Sequence, residues 1–277
     1  MNRRLIGALL STVTGAAMVA TMATPAAAAP RVQAVTFAGT VALSNCSGSV
    51  VRPPNALSTD PALVLSNGHC LETGMPGAGQ VVLNRSSTRT FQLLNAAGTG
   101  TVGTIRATKI AYGTMTDTDI SLYQVSQTYA QIQSAYGIRA LDLVATHPVQ
   151  GTAISVVSGY WKKKYNCNID GFAYRLKEAS WTFKDSIRYT SPCNVIGGTS
   201  GSPIVDVATG RVVGVNNTIN ESGGRCTLNN PCEVDQGGNV TVRRGIGYGQ
   251  ETYTIVACLG AGNQIDLNRA GCTLPKP

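Results

Sequence analysis

Downstream of residue 35 the chain is cut into short apolar runs by glycine, asparagine, serine and threonine, and this rhythm limits the folds open to it. VTFAGTVALSNCSGSVV, ALVLSNGHC, QVVLNR, TFQLLNA, TGTVGTIRATKIAYG and DISLYQV form a first series. GTAISVVSGYW, GFAYRLKEASWTFKD, SIRYTSPC, SPIVDVATGRVVGVNN and NVTVRRGIGYG form a second. Short runs rich in β-branched and aromatic residues and bounded by turn formers read as strands. Their loose alternation of apolar and small polar residues fits half-buried antiparallel strands. ATG at 208–210 reads as a hairpin turn. One stretch breaks the rhythm. In TYAQIQSAYG, Tyr129, Ile132 and Tyr136 fall near helical spacing and Gly137 can end the helix, so a short helical connector is expected between two halves. Many strands around one connector predict an all-β protein of two packed barrels or sandwiches. With 277 residues, 43% of them hydrophobic and 13% charged, the chain can bury a real core and is too apolar for disorder.

The first segment lies outside that pattern. MNRRLIGALLSTVTGAAMVATMATPAAAAP has Arg3 and Arg4, an uncharged run from Leu5 to Ala23, and small residues with A-x-A matches near Ala28 and Ala29. This predicts a secretory signal over residues 1–29, cleaved near Ala28 or Ala29, and a secreted, extracellular protein with no membrane attachment after cleavage. A retained anchor is the rival reading, weakened because the run is only mildly apolar. Cysteine usage agrees with export. Cys46, Cys70, Cys167, Cys193, Cys226, Cys232, Cys258 and Cys272 all lie downstream of the leader, an even number that suggests four disulfides. Eight cysteines allow about 105 pairings, and the count does not choose among them. Zinc is the rival use, but there is no C-x-x-C and the only histidines are His69 and His147, so neither metal nor cofactor is expected. The formal net charge of +8 falls by two when Arg3 and Arg4 leave. No nucleic-acid motif accompanies it, and Lys162-Lys163-Lys164 reads as an exposed turn, so no nucleic-acid partner is expected.

Three stretches carry chemistry. His69 ends the apolar run ALVLSNGHC beside a cysteine, a held position, whereas His147 in THPVQG reads as a loop residue. In MTDTDISLYQV, Asp119 abuts a strand, with Asp117 as the reserve. Turn chemistry alone could place them there, but a carboxylate can also fix a histidine tautomer and stabilise its protonated form. GGTSGSPIVD puts Ser200 among glycines. A serine hydroxyl needs a base to take its proton and donors for the oxyanion it creates. Gly198 and Ser200 can supply backbone N–H groups, Gly201 allows close approach, and Pro203 opens the next strand without an unpaired donor.

Together, LSNGHC with NCSGSVV, DISLYQV, VVSGY, GGTSGSPIVD and GRVVGVNN resemble the chymotrypsin-like serine peptidases, in their small secreted bacterial branch, over roughly residues 45–220. The resemblance implies two packed six-stranded antiparallel β-barrels with the active site in the cleft between them. The first barrel with its connector is expected over 30–140. The second, with a disulfide-tethered tail, is expected over 141–277. The resemblance further implies His69 as base then acid, Asp119 as its orienter, Ser200 as nucleophile, and Gly198 and Ser200 as oxyanion donors. Cys46–Cys70 would bracket the histidine. For the other six, Cys167–Cys193, Cys226–Cys232 and Cys258–Cys272 are favoured, with Cys193–Cys226 as the alternative. Asn194 falls in the pocket loop, and Asn216, Asn217 and Thr218 form an edge to which a substrate strand can add.

The chain also departs from the family pattern. Thr199 stands where animal relatives carry the aspartate of an activation switch. Ser202 replaces a glycine, and Cys193 lies farther from the nucleophile than in animal enzymes, which leaves the pocket loop and the cleavage preference unread. A secreted serine endopeptidase acting as a monomer on polypeptide is thus the leading reading. The alternative is a catalytically silent scaffold of the same family that binds polypeptide or cell-wall material. An esterase elbow G-x-S-x-G is not met at Ser202, and the H-E-x-x-H of metalloproteases is absent.

Overall fold

In the computed structural model, which describes residues 34–277, the short apolar runs become strands of two sheets. The leader expected over residues 1–29 lies outside the described residues. The first sheet comprises β1 (Thr40–Ala42), β2 (Ser47–Arg52), β3 (Pro61–Ser66), β4 (Val81–Ser86), β5 (Thr90–Leu94), β6 (Thr101–Thr114), β7 (Ile120–Thr128) and β8 (Leu141–Asp142). The second comprises β9 (Ala153–Ser158), β10 (Lys163–Glu178), β11 (Trp181–Tyr189), β12 (Pro203–Asp206), β13 (Val212–Ile219), β14 (Cys232–Val234), β15 (Val240–Val242) and β16 (Gly247–Glu251).

Each sheet closes on itself through six strands. The order β1-β5-β6-β7-β3-β2 returns to β1, and β11-β16-β13-β12-β9-β10 returns to β11. All pairings within the two rings are antiparallel. Closure removes the unpaired edges that an open sheet exposes. Off the rings, β4 pairs with β6, β8 runs parallel to β2, and the β14–β15 hairpin hangs from β10. The expected all-β double barrel is therefore the observed architecture.

Side-chain alternation shows how the rings pack. Successive residues of a strand face opposite sides. On β7, Tyr123 and Val125 enter the core of the first ring with Val50, Val64 and Phe91. Ile120 and Leu122 point the other way, into a second core shared with Val157, Val205 and Val215 of the second ring. A strand buried on both faces, as β7 is along Ile120–Val125, reads as a continuous apolar run, which is how DISLYQV appears in the sequence. The second ring has its own interior of Ile154, Val156, Ile187, Tyr189 and Ile204.

Between the rings lies α1 (Tyr129–Tyr136). Its start is fixed reciprocally: Thr128 Oγ1 accepts from Gln131 N, and Gln131 Oε1 accepts from Thr128 N. Gly137 ends it in the left-handed region at φ 66°. After β16 comes α2 (Tyr253–Ala257). The tail that follows folds back so that Tyr112 Oη donates to the Pro275 carbonyl of the last turn. Disulfides join Cys46 to Cys70, Cys167 to Cys193, Cys226 to Cys232 and Cys258 to Cys272. No helix among the described residues is long and apolar enough to cross a membrane.

Candidate active site

The pairing of β3 with β7 brings the first two chemical groups together. Ser66 at the end of β3 lies opposite Ser121 near the start of β7. A short turn, Gly68–Cys70, follows β3 and is anchored by the Cys46–Cys70 disulfide. Asp119 immediately precedes β7 and is buried. His69 Nδ1 thus sits 2.7 Å from Asp119 Oδ2, while Asp119 Oδ1 accepts the His69 backbone N–H at 3.0 Å. Two bonds to one carboxylate fix both the ring and its backbone, and they require the proton on Nδ1, which leaves Nε2 as the working nitrogen. Asp117 is not part of this pair. It adopts φ 60° and binds Lys184 at 2.6 Å.

The loop before β12 carries the third group. Ser200 lines the same cleft as His69 and Asp119. Its carbonyl accepts from Ser47 N of the first ring at 2.8 Å, and its hydroxyl donates to the Asn217 carbonyl at 3.2 Å. Glycine is obligatory on either side. A Cβ on Gly201, at φ 79°, would fall 2.0 Å from the Ser47 carbonyl oxygen. A Cβ on Gly198, at φ 86°, would fall 2.8 Å from Trp161 Nε1. Trp161 Nε1 donates to the Gly197 carbonyl at 2.9 Å. The C=O and N–H of a trans peptide point in opposite directions, so this bond turns the Gly198 N–H away from Trp161. Neither Gly198 N–H nor Ser200 N–H donates a hydrogen bond to any described residue.

A neutral relay supports the loop from below. Tyr189 Oη donates to Asn216 Oδ1 at 3.1 Å, Asn216 Nδ2 donates to Thr199 Oγ1 at 3.1 Å, and Thr199 Oγ1 donates to the Ile196 carbonyl at 2.5 Å. Ser202 Oγ closes on the Thr199 carbonyl at 2.6 Å. Thr199 and Ser202, two of the departures from the family pattern, are thereby tied into one buried network that needs no charged partner. Asn216 belongs to this support. Asn217 and Thr218 line the cleft at a register break of β13. Asn194 is placed elsewhere: it is exposed, in the left-handed region at φ 42°, and Val195 and Ile196 form the pocket wall instead.

The family described as the trypsin-like peptidase domain matches residues 46–215, more than half of the chain. The chain belongs to the trypsin-like peptidase family. It is a chymotrypsin-like serine peptidase, as the sequence motifs predict. A comparison with curated proteins finds no match. Among solved structures, the protease domain of MamO from Magnetospirillum magneticum is 14% identical, with a TM-score of 0.49 over 82% of this chain and 98% of that one. The active form of the Rv3671c protease from M. tuberculosis is 16% identical, with a TM-score of 0.49 over 93% of this chain and 97% of that one.

Three residues in or around the peptidase's cleft escaped the sequence reading. Asn67, fully buried, spans the rings: its Nδ2 donates to the Asp119 carbonyl at 2.8 Å and its Oδ1 accepts from Gly201 N at 2.5 Å. It therefore links the histidine turn, the aspartate and the serine loop. Trp161 is the second. Glu178, at the end of β10, is the third, a buried carboxylate in the cleft wall that accepts from Asn229 N at 2.7 Å. Burial raises the Glu178 pKa, and the hydrogen bonds from Thr218 and Asn229 only partly offset it. For His69, burial favours the neutral ring, but the charge and hydrogen bond of Asp119, joined by the charge of Glu178, outweigh it and hold the pKa above 6.5.

Proposed function

We propose that the peptidase is a secreted serine endopeptidase that cleaves polypeptides through an acyl-enzyme, with Ser200 as nucleophile, His69 as base then acid, and Asp119 as orienter. One observation carries the reading: a histidine locked by a buried carboxylate, with Nε2 left free, shares a cleft with a serine flanked by two unclaimed backbone N–H groups. Rotation of the Ser200 side chain away from the Asn217 carbonyl delivers its proton to Nε2, since catalytic hydrogen bonds often tighten only once substrate is bound. The hydroxyl oxygen then attacks the scissile carbonyl. The resulting oxyanion takes the N–H groups of Gly198 and Ser200. His69, now protonated and stabilised by Asp119, returns the proton to the leaving amine. Water repeats the sequence on the acyl-enzyme.

Substrate lies as an added strand along Asn217–Ile219. There β13 pairs with β16 on one side, while β12 ends opposite Val215, so backbone groups on the other side remain available. The pocket beside it has Val195, Ile196 and Leu228 with Glu178 and Glu221, a lining that accepts apolar or basic side chains and repels acidic ones. Export rests on the leader over residues 1–29, and four disulfides fit an oxidising compartment.

A fluorophosphonate probe tests the assignment. The folded protein acquires one adduct, mapped to Ser200, and His69→Ala abolishes it. Absence of an adduct in folded protein would favour the silent scaffold. An adduct at another residue would overturn the assignment of the nucleophile.

A further inference from the structure

A second constellation of ionisable groups lies away from the cleft. His147 follows β8 in the segment joining the two rings, Asp185 sits within β11, and Glu251 ends β16. Their ligand atoms converge within 4.8 Å of one another. His147 Nε2 is 3.1 Å from Asp185 Oδ2 and 2.8 Å from Glu251 Oε1. Its Nδ1 lies 2.6 Å from the Pro148 carbonyl, an acceptor only, so Nδ1 carries a proton and Nε2 faces the two carboxylates. The ring is held by Phe172 at a centroid distance of 4.4 Å and Tyr253 at 5.4 Å.

Charge and hydrogen bonding are both incomplete here. The Glu251 side chain is only 4% exposed, and its Oε1 makes no hydrogen bond despite lying 2.8 Å from Nε2. Lys184, next to Asp185, is committed to Asp117. Among the described residues no lysine or arginine forms an ion pair with Asp185 or Glu251. Two carboxylates therefore meet one imidazole: Nε2 is hydrogen-bonded to Asp185 Oδ2, and the buried Glu251 Oε1 converges on the same nitrogen without a hydrogen bond of its own.

We propose that His147, Asp185 and Glu251 form a divalent-metal site of the zinc type, separate from the catalytic cleft. One imidazole nitrogen and two carboxylate oxygens suit a borderline-soft cation with water as its fourth ligand. A tetrahedral zinc places neighbouring ligand atoms about 3.3 Å apart, so the two separations from Nε2, 3.1 and 2.8 Å, widen by only a few tenths of an ångström to admit it. The Pro148 carbonyl behind Nδ1 is the kind of outer contact that orients a metal-binding histidine. Asp185 and Glu251 line a surface depression with Thr254 and Thr273, and the exposed side of Asp185 provides entry. Because the three ligands come from the inter-ring segment, β11 and β16, the ion would clamp that segment onto the second ring. No spacing motif in the sequence announces it, since the ligands lie far apart along the chain.

Calorimetry on the chelator-stripped mature protein, carrying Ser200→Ala to prevent self-digestion, tests the site with zinc chloride as probe. The expected result is one ion bound per chain and a melting temperature raised by about 5 °C at saturation. Asp185→Asn, at a partly exposed position, weakens binding by more than about tenfold, since losing even an outer contact of a metal ligand costs about 10- to 100-fold. His147→Gln abolishes it, and His69→Ala leaves it unchanged. Three results would overturn the proposal. The first is no zinc binding, the outcome if a proton retained by Glu251, which burial and Asp185 push up to about 9, closes the cluster instead. The second is binding that survives both Asp185→Asn and His147→Gln. The third is binding lost only with His69→Ala.

Discussion

The two histidines of this chain both meet carboxylates, yet they are wired through opposite ring nitrogens. His69 spends Nδ1 on Asp119 and keeps Nε2 for the cleft. His147 spends Nδ1 on a backbone carbonyl and turns Nε2 onto two acids. An imidazole with one nitrogen held and the other facing a cavity is ready to shuttle protons. An imidazole whose second nitrogen converges with two carboxylates is ready to share a cation. The partner of Nδ1, rather than burial or nearby acid, separates the two roles.

Mutating each histidine in turn is the sharpest way to break that contrast. His69→Ala or Ser200→Ala is expected to lower kcat by about 10^4- to 10^6-fold, the cost of losing a member of such a unit. His147→Gln should leave kcat/KM on a peptide substrate within about twofold, the range of a change remote from the chemistry. Equal losses at both histidines would erase the distinction. Asp119→Asn is expected to lower kcat by about 10^4-fold by presenting the wrong tautomer. It should also lower the pH at which activity is half-maximal. In the wild type that midpoint lies above 6.5, because Asp119 favours the protonated ring and activity requires the neutral one. A rate that stays flat from pH 5 to 8 would remove His69 as the base.

The groups around His69 come next in size. Asn67→Ala, which cuts the link between Asp119 and Gly201, is expected to cost about 10²-fold in kcat with little change in KM, the scale of a small misplacement of reacting groups. Trp161→Phe keeps the aromatic contact with Tyr160 but removes the indole N–H from the Gly197 carbonyl. It should cost about tenfold in kcat, because the Gly198 N–H is then less firmly aimed. Should KM rather than kcat change in either variant, the residue acts in binding substrate and not in positioning the reacting groups.

These side chains differ in how visible they are in a sequence. His69, Asp119 and Ser200 stand out because each role demands a residue type in a recognisable neighbourhood: a held strand end, a strand entry, and a glycine-flanked serine. The double barrel was legible for a related reason, since strand runs and turn residues are local signals. Asn67 lies within LSNGHC with no local sign of its role. Nothing near it indicates that its amide will bridge residues 52 and 134 positions away. Trp161 sits in a hairpin turn, 36 residues from the carbonyl it holds. Asn194 is exposed in the left-handed region, and the next two residues, Val195 and Ile196, line the pocket, an offset within one loop that no local pattern in the sequence marks. The His147 cluster depends wholly on tertiary convergence and carries no local signature.

The smallest expected effect concerns stability. Since Asp119 raises the folded-state pKa of His69, their interaction stabilises the fold fully below pH 6.5 and is lost as pH rises through that raised pKa. Unfolding in urea at pH 5.5 and at pH 8.5 should therefore show a wild type that loses stability on going to the higher pH. His69→Gln, which fills similar space but does not titrate, should lose less over the same interval. The difference between the two slopes isolates one ionisation, because every other group is common to both proteins. If His69→Gln followed the wild-type pH dependence, the His69–Asp119 attraction would be no stronger in the folded chain than in the unfolded one. The contrast with His147 would then rest on geometry alone.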